Sequence, residues 1–337
     1  MTLELHSMQS MADVSIVGAA GYTGQETLDR VLGHPGLRLV AVGSDSLAGQ
    51  PGAALDPRLS HAAMPSFVTN EEALAHGSDV TILCLSHEAA ASIEPPDAGV
   101  VVDLSGAHRL RDASSYEAWY GFTHPRPGGL GDWVYGLTEL VPESGRLVAN
   151  PGCYAMATLL ALAPVRDAID HDSVVVNALS GMTGAGRTLK DSTHAGAVLE
   201  NVAPYRVGAH QHVPEIMQLL GFPVSFTPHL LPVRRGLIAT CNVRSTGPDL
   251  RALLEEAYAG SPVVTVLPEG MAPELARVQH SDRAEIGVFA DRFTDRTMVI
   301  CAEDNLGKGA AGQAIQNVNR ALGFADTAGL RLQGVLV

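Results

Sequence analysis

Over the first half of the chain, short apolar runs rich in β-branched residues alternate with polar or glycine-rich turns and helix-like repeats. Val14-Ser15-Ile16-Val17 is the first such run, and it leads straight into Gly18-Ala19-Ala20-Gly21-Tyr22-Thr23-Gly24. Gln25 to Leu32 reads as a helix that stops near Gly33-His34-Pro35. Leu37 to Val42, Asp79 to Leu85 and Val100 to Ser105 repeat the strand pattern, with a small helix predicted around Glu71 to Ala75. Strands alternating with helices in this way predict an open parallel sheet of the dinucleotide-binding kind.

The pattern changes at Leu147-Val148-Ala149. This apolar run ends in Asn150-Pro151-Gly152 and opens an Ala/Leu-rich helix from Cys153 to about Ala163, closed by Pro164. Beyond it, strands lengthen and helices become scarce: Ser173 to Leu179, Val224 to His229 and Gly236 to Arg244 are predicted strands. A second domain is therefore expected to start near Cys153. The strand Met298 to Ala302 leads into an amphipathic helix at about Ala311 to Leu322, whose small first residues suit a close return onto the first domain.

Composition fits this picture. With 337 residues and 46% hydrophobic positions, the chain can build two cores. A net charge of −14 argues against a nucleic-acid or anionic-membrane surface. Cys84, Cys153, Cys241 and Cys301 are far apart and form no paired motif, which fits a reducing compartment and a cytoplasmic location. No apolar run approaches the roughly 20 residues of a membrane span. Residues 1–12 read as a loose extension.

The candidate chemistry lies at turns. Gly18, Gly21 and Gly24 form a phosphate cradle at a helix N-terminus, although a plain strand-turn-helix has the same spacing. Ser44-Asp45-Ser46 ends the second strand where a dinucleotide's ribose is read: the serines suit a 2′-phosphate, and Asp45 suits a free hydroxyl. Ser86 and His87 follow the third strand, as groove lining or as a helix cap. Arg109 follows the fourth, to grip an anion or to form a surface ion pair. Cys153 sits at a helix start, where the dipole is expected to lower its thiol pKa, or else it is a small core filler. Ser180 to Arg187 is a glycine-dense turn, followed by Lys190 and His194 in a polar segment. His210, His212 and Glu215 are closely spaced, but Pro214 prevents one helix from carrying both histidines, so a proton partner for Cys153 is favoured over a metal site. Arg234 and Arg235 add positive charge suited to an anionic substrate.

Together, Gly18 to Gly24, Asn150-Pro151-Gly152-Cys153-Tyr154, Ser180 to Arg187, the segment from His210 to Ile216 and the segment from Asn305 to Gln313 resemble the N-acetyl-gamma-glutamyl-phosphate reductase family of arginine biosynthesis. That resemblance implies an α/β chain of two parts, a Rossmann dinucleotide-binding domain over 13–152, completed by 308–337, and an α+β catalytic and oligomerisation domain of the semialdehyde dehydrogenase type over 153–307. It implies NADPH-dependent reduction of an acyl phosphate through a Cys153 thioester, with His212 as acid/base. Arg109, Arg187, His210, Glu215 and Arg235 would surround the substrate, and Gly18, Gly21, Tyr22, Thr23, Gly24, Ser44, Ser86, Gly181 and Asn305 the cofactor. No metal is implied, and a homodimer or homotetramer is. Asp45, where the family often has arginine, keeps NAD(H) as the alternative to NADP(H), and Gln211 replaces a common arginine between the histidines. A relative acting on a carrier-linked aminoadipyl or glutamyl phosphate, and a non-catalytic dinucleotide sensor, are the competing readings.

Overall fold

Six parallel strands make the first sheet: β1 (Ala12–Val17), β2 (Leu37–Gly43), β3 (Val80–Leu83), β4 (Val100–Asp103), β5 (Val134–Tyr135) and β6 (Leu147–Ala149), in the spatial order β2-β1-β3-β4-β6-β5. The structure is a computed structural model describing residues 11–188 and 191–334, without the Ser192 side chain. Most of the expected N-terminal extension, Lys190 and the last three residues lie outside the described residues. The inner strands are buried on both faces because helices cover both, as parallel sheets require. Their C-terminal ends line up the Gly18 turn, Ser44, Ser86 and the loop after β4 along one edge.

The second sheet is mixed: β7 (Val175–Gly181), β8 (Ala203–Pro204), β9 (Ser225–Leu231), β10 (Leu237–Arg244), β11 (Val264–Val266), β12 (Ala284–Ala290) and β13 (Arg296–Glu303), ordered β11-β12-β13-β10-β7-β9-β8. Strand β12, second from one edge, escapes a reading of hydrophobic pattern because Glu285 interrupts its apolar run. Arg277 Nε donates to that carboxylate at 2.9 Å, so the charge is tolerated there.

The helix Cys153–Leu162 packs on β10 and β13 and against the helix Val213–Leu220, and Tyr154 through Leu162 are all buried. A helix that is apolar on every side belongs inside a core. Its first residue is therefore fixed between two domains.

Past β13, Gly307–Gly312 forms a π-helical turn, and the helix Gln313–Leu322 follows. The expected helix start at Ala311 thus falls within the wider, glycine-rich turn. Lys308 in that turn has no solvent exposure, and its Nζ donates to Glu139 Oε1, Gln313 Oε1 and Gln316 Oε1, each at 2.6 Å. Ala314, Ile315 and Val318 fill the first sheet's core beside Val14, Ile16 and Leu28.

Charged contacts hold the two sheets together as well. Arg30, in the helix Tyr22–Gly33, pairs with Asp282 at 2.7 Å, both side chains being wholly buried. Glu26 in the same helix bonds both Arg30 and Arg235, and Arg235 reaches Asp304 at 2.6 Å. Burial opposes the Glu26 charge, but the two arginines overcome it and hold the carboxyl below its ordinary pKa. No helix among the described residues is long and apolar enough to cross a membrane.

Candidate active site

Strand β6 is followed by Asn150, whose Nδ2 donates to Ala310 O and whose Oδ1 accepts from Asn317 Nδ2. The next two residues, Pro151 and Gly152, turn the chain into the Cys153 helix, with Gly152 as its N-cap in extended geometry. No side chain of its own caps that helix. Glu215 takes the task from another element: its Oε1 accepts the Gly152 N–H at 2.8 Å and the Tyr135 hydroxyl at 2.6 Å. Glu215 lies in the first turn of the helix Val213–Leu220, so the residue just before that helix, His212, is brought to the same place.

Arg109 completes the group. Its Nε donates to Asn150 O at 2.7 Å and its Nη2 to Leu104 O at 2.8 Å, which leaves Nη1 between Glu215 Oε2 at 3.6 Å and His212 Nε2 at 3.5 Å. Asp103, at the end of β4, shapes the loop that carries Arg109: its carboxylate accepts from Ser105 N and Oγ and lies 2.6 Å from His108 Nδ1. Gly152 sits against both functional side chains, since a Cβ there would lie 2.5 Å from His212 Nε2 and 2.7 Å from Arg109 Nη1. Glycine is required by that close approach. Gly152→Ala is therefore expected to leave a folded protein whose turnover is lower by about a hundredfold, because displacement of a catalytic group by about 1 Å has that effect; steady-state rates read beside a melting curve check it.

The electrostatics differ from the sequence-based expectation. Cys153 does stand at a helix start, and the Tyr154 N–H and Arg109 favour its thiolate, but burial pushes the thiol up to about 12 and Glu303 adds to the rise. Desolvation outweighs the helix end, one of whose N–H groups Glu215 has already taken. The expected lowering is thus corrected to a rise. His212 is held well below its ordinary pKa, first by burial and then by His210 and Arg109, so the imidazole is neutral. Its Nδ1 has no hydrogen-bond partner among the described residues. His210 lies edge-on to Tyr154, accepts the His212 N–H on Nδ1 at 3.2 Å, and is lowered to about 4 by burial.

Two of the arginines expected around the substrate have partners within the protein. Arg235 is committed to Glu26 and Asp304, with Nη2 unpartnered among the described residues. Arg187 is exposed and donates to Ala20 O at 2.8 Å, in the Gly18–Gly24 turn. The glycine-dense turn after β7 projects across the gap toward the first domain and carries Arg187 with it.

At the dinucleotide end, Gly18 has φ +88°, and a Cβ there would lie 2.5 Å from Cys84 O, so this turn can be made only with glycine. Gly21 caps the helix that Tyr22 and Thr23 begin, and Gly24 is buried within it. A cavity of about 450 Å³ opens beside this turn, lined by Ala20, Gly21, Ser46, Leu47, Ala54, Leu55, Arg187 and Thr188. Its size is that of a small-molecule site, and Gly21 and Ala20 of the turn form part of its wall. Ser44 is buried, with Oγ 3.2 Å from Ser46 Oγ. Asp45 is already engaged, accepting Asn70 N at 2.9 Å and Asn70 Nδ2 at 2.8 Å, while Asn70 Oδ1 accepts the Gly18 N–H. Asn70 escaped the sequence reading, although the Thr69–Glu72 capping box marks the helix start that presents it. Ser86 caps the helix His87–Ala91, and His87 Nδ1 accepts Gly106 N. Gly181 ends β7, and Asn305 ties Gly236 N to Thr183 Oγ1. Among the described residues, no group of three or more His, Cys, Asp or Glu is placed to hold a metal ion.

Comparison with known proteins agrees with this architecture. Residues 13–147 match the semialdehyde dehydrogenase NAD binding domain, and residues 153–305 match the semialdehyde dehydrogenase dimerisation domain. The fold is that of aspartate semialdehyde dehydrogenase II from Vibrio cholerae, solved in complex with ASA: the TM-score is 0.72 at 17% identity, covering 92% of this chain and 98% of that one. The N-acetyl-gamma-glutamyl-phosphate reductase of Salinispora arenicola is 44% identical, over 96% of this chain and 98% of its own. That of Acidothermus cellulolyticus is 42% identical, over 96% and 99%. With such relatives matched almost end to end, the chain belongs to the N-acetyl-gamma-glutamyl-phosphate reductase family, a nicotinamide-dinucleotide-dependent oxidoreductase family of the semialdehyde dehydrogenase type.

Proposed function

We propose that the protein reduces N-acetyl-L-glutamyl 5-phosphate to N-acetyl-L-glutamate 5-semialdehyde and phosphate with NADPH, Cys153 being the nucleophile and His212 the acid/base. The observation that carries this reading is the Glu215–Gly152 hydrogen bond, which seats the Cys153 helix start against His212 and Arg109. Cys153 Sγ bonds to the acyl carbon as the carbon–phosphate oxygen bond breaks and phosphate departs. The thiol proton passes to His212. With the thiol high and the imidazole low, this transfer proceeds together with S–C bond formation, and no free thiolate accumulates. The nicotinamide, when bound, supplies the hydride that reduces the thioester carbonyl. The Tyr154 N–H and Arg109 favour negative charge beside Cys153 and suit the oxyanion formed then. Collapse breaks the C–S bond, and His212 returns its proton to sulfur.

NADP specificity is supported by two features. Asp45 is bonded to Asn70, and Arg187 lines the same cavity as Ser46, bringing a cation to the serine pair. Arg187→Ala is expected to weaken NADPH binding by about tenfold and NADH binding hardly at all, since a charge-assisted phosphate contact is worth about that much; fluorescence titration of both cofactors measures it. Equal losses would place Arg187 away from the 2′-phosphate.

The reaction is tested in reverse, because the acyl phosphate is unstable. Purified protein, N-acetylglutamate semialdehyde, phosphate and NADP+ are expected to give nicotinamide absorbance that depends on all three. Aspartate semialdehyde should give none. Reduction with aspartate semialdehyde alone would overturn the substrate assignment.

A further inference from the structure

Glu303 closes β13 with no solvent exposure, and neither of its carboxyl oxygens has a hydrogen-bond partner among the described residues. Lys308 does not relieve it, because its ammonium is already shared among Glu139, Gln313 and Gln316. A bare carboxylate in such a place is costly, so the protonated form is favoured: burial raises its pKa well above the ordinary value, Asp304 and Glu139 add to the rise, and Lys308 opposes it. Gly309 separates this acid from the nucleophile. A Cβ at 309 would lie 2.8 Å from Glu303 Oε1 and 3.0 Å from Cys153 Cβ, so the two side chains approach each other across a residue that has none.

We propose that Glu303 is a positioning residue for the Cys153 reaction: it stands behind Gly309, across from the nucleophile, and its carboxylate form opposes the thiolate. The proposal rests on Cys153 being the nucleophile. The other charged or titratable groups facing the pair are Arg109, Glu215, Tyr154 and Tyr205 around Cys153, and Lys308, Asp304, Glu139 and Cys301 around Glu303. While Glu303 holds its proton, burial and Glu215 work against the thiol. Once it has ionised, Cys153 must lose its proton beside an existing negative charge, without water to screen it.

The test is the rate of Cys153 alkylation by iodoacetamide across the neutral and alkaline range, assigned to that residue by peptide mass spectrometry, for the full chain and for Glu303→Gln. Glutamine keeps the shape and removes the charge. The variant is expected to alkylate at alkaline pH about tenfold faster than the native protein, the effect of a one-unit fall in the thiol pKa, and to retain NADPH affinity. Glu303→Leu should move the profile the same way, because the effect belongs to charge. Superimposable profiles overturn the proposal, as does a shift seen with leucine and not with glutamine, which would mark a packing effect. Alkylation needs no turnover, so a wrong acyl substrate would leave this result standing and would show itself in the reverse assay instead.

Discussion

Cys153→Ser is expected to lower the rate of acyl-phosphate reduction by at least about 10⁴-fold, the scale on which enzymes lose activity when a covalent nucleophile is removed. Serine is smaller by little and fits the same buried helix start, so the fold should survive. The hydroxyl fails for two chemical reasons. It is harder to ionise than a thiol in the same dry setting, and an ester carbonyl accepts hydride less readily than a thioester. NADPH affinity should stay within about twofold, because the cavity beside the Gly18 turn is not lined by Cys153. Rate is measured by absorbance and affinity by fluorescence titration on the same preparation. Residual turnover near the native rate would remove Cys153 from the chemistry altogether.

Glu215→Ala carries the second large effect, on stability and activity together. Glu215 is fully buried; it holds the Gly152 N–H and the Tyr135 hydroxyl, and it is the carboxylate nearest Arg109 Nη1. Removing it strands a buried guanidinium, which costs about 3–5 kcal/mol. For a chain of this size that is a fall in melting temperature of roughly 10 °C. Turnover should fall further than folding explains, since the helix start bearing Cys153 loses its tether to the helix behind His212. Glu215→Gln separates the two effects. Its amide oxygen still accepts from Gly152 and Tyr135, so the helix start stays in place, while the charge beside Arg109 is gone. A glutamine variant as inactive as the alanine one would assign the role to charge and not to the tether.

How far the sequence could be read follows from where each cause lies. The Gly18 turn and the Asn150-Pro151-Gly152 break are local, as glycine and proline act within a few residues, and the structure has its turn and helix start there. Cys153 was placed at a helix start from the same local signal. Its raised thiol was hidden because burial and Glu303 reach it from 150 residues further along the chain. The ion pairs of Arg235 are not legible locally because its partners, Glu26 and Asp304, are far away in sequence. The engagement of Asp45 is not written in its own neighbours, since its partner, Asn70, sits at the start of another helix. Strand β12 was missed because its one charge is answered by Arg277, outside the strand. Pattern and turn chemistry are written along the chain, whereas ion pairing and burial are decided across it.

The return of the helix Gln313–Leu322 to the first sheet bears on how the protein is made. Strands β1 to β4 leave the ribosome early, yet Ala314, Ile315 and Val318 of their core are synthesised only after the whole second sheet. Until then, the apolar faces of Val14, Ile16 and Leu28 lack part of their cover. An N-terminal domain generally folds first, but here the first domain begun can be completed only last. In the nascent chain, the second domain is a long insertion that must settle before the ends of the first can meet.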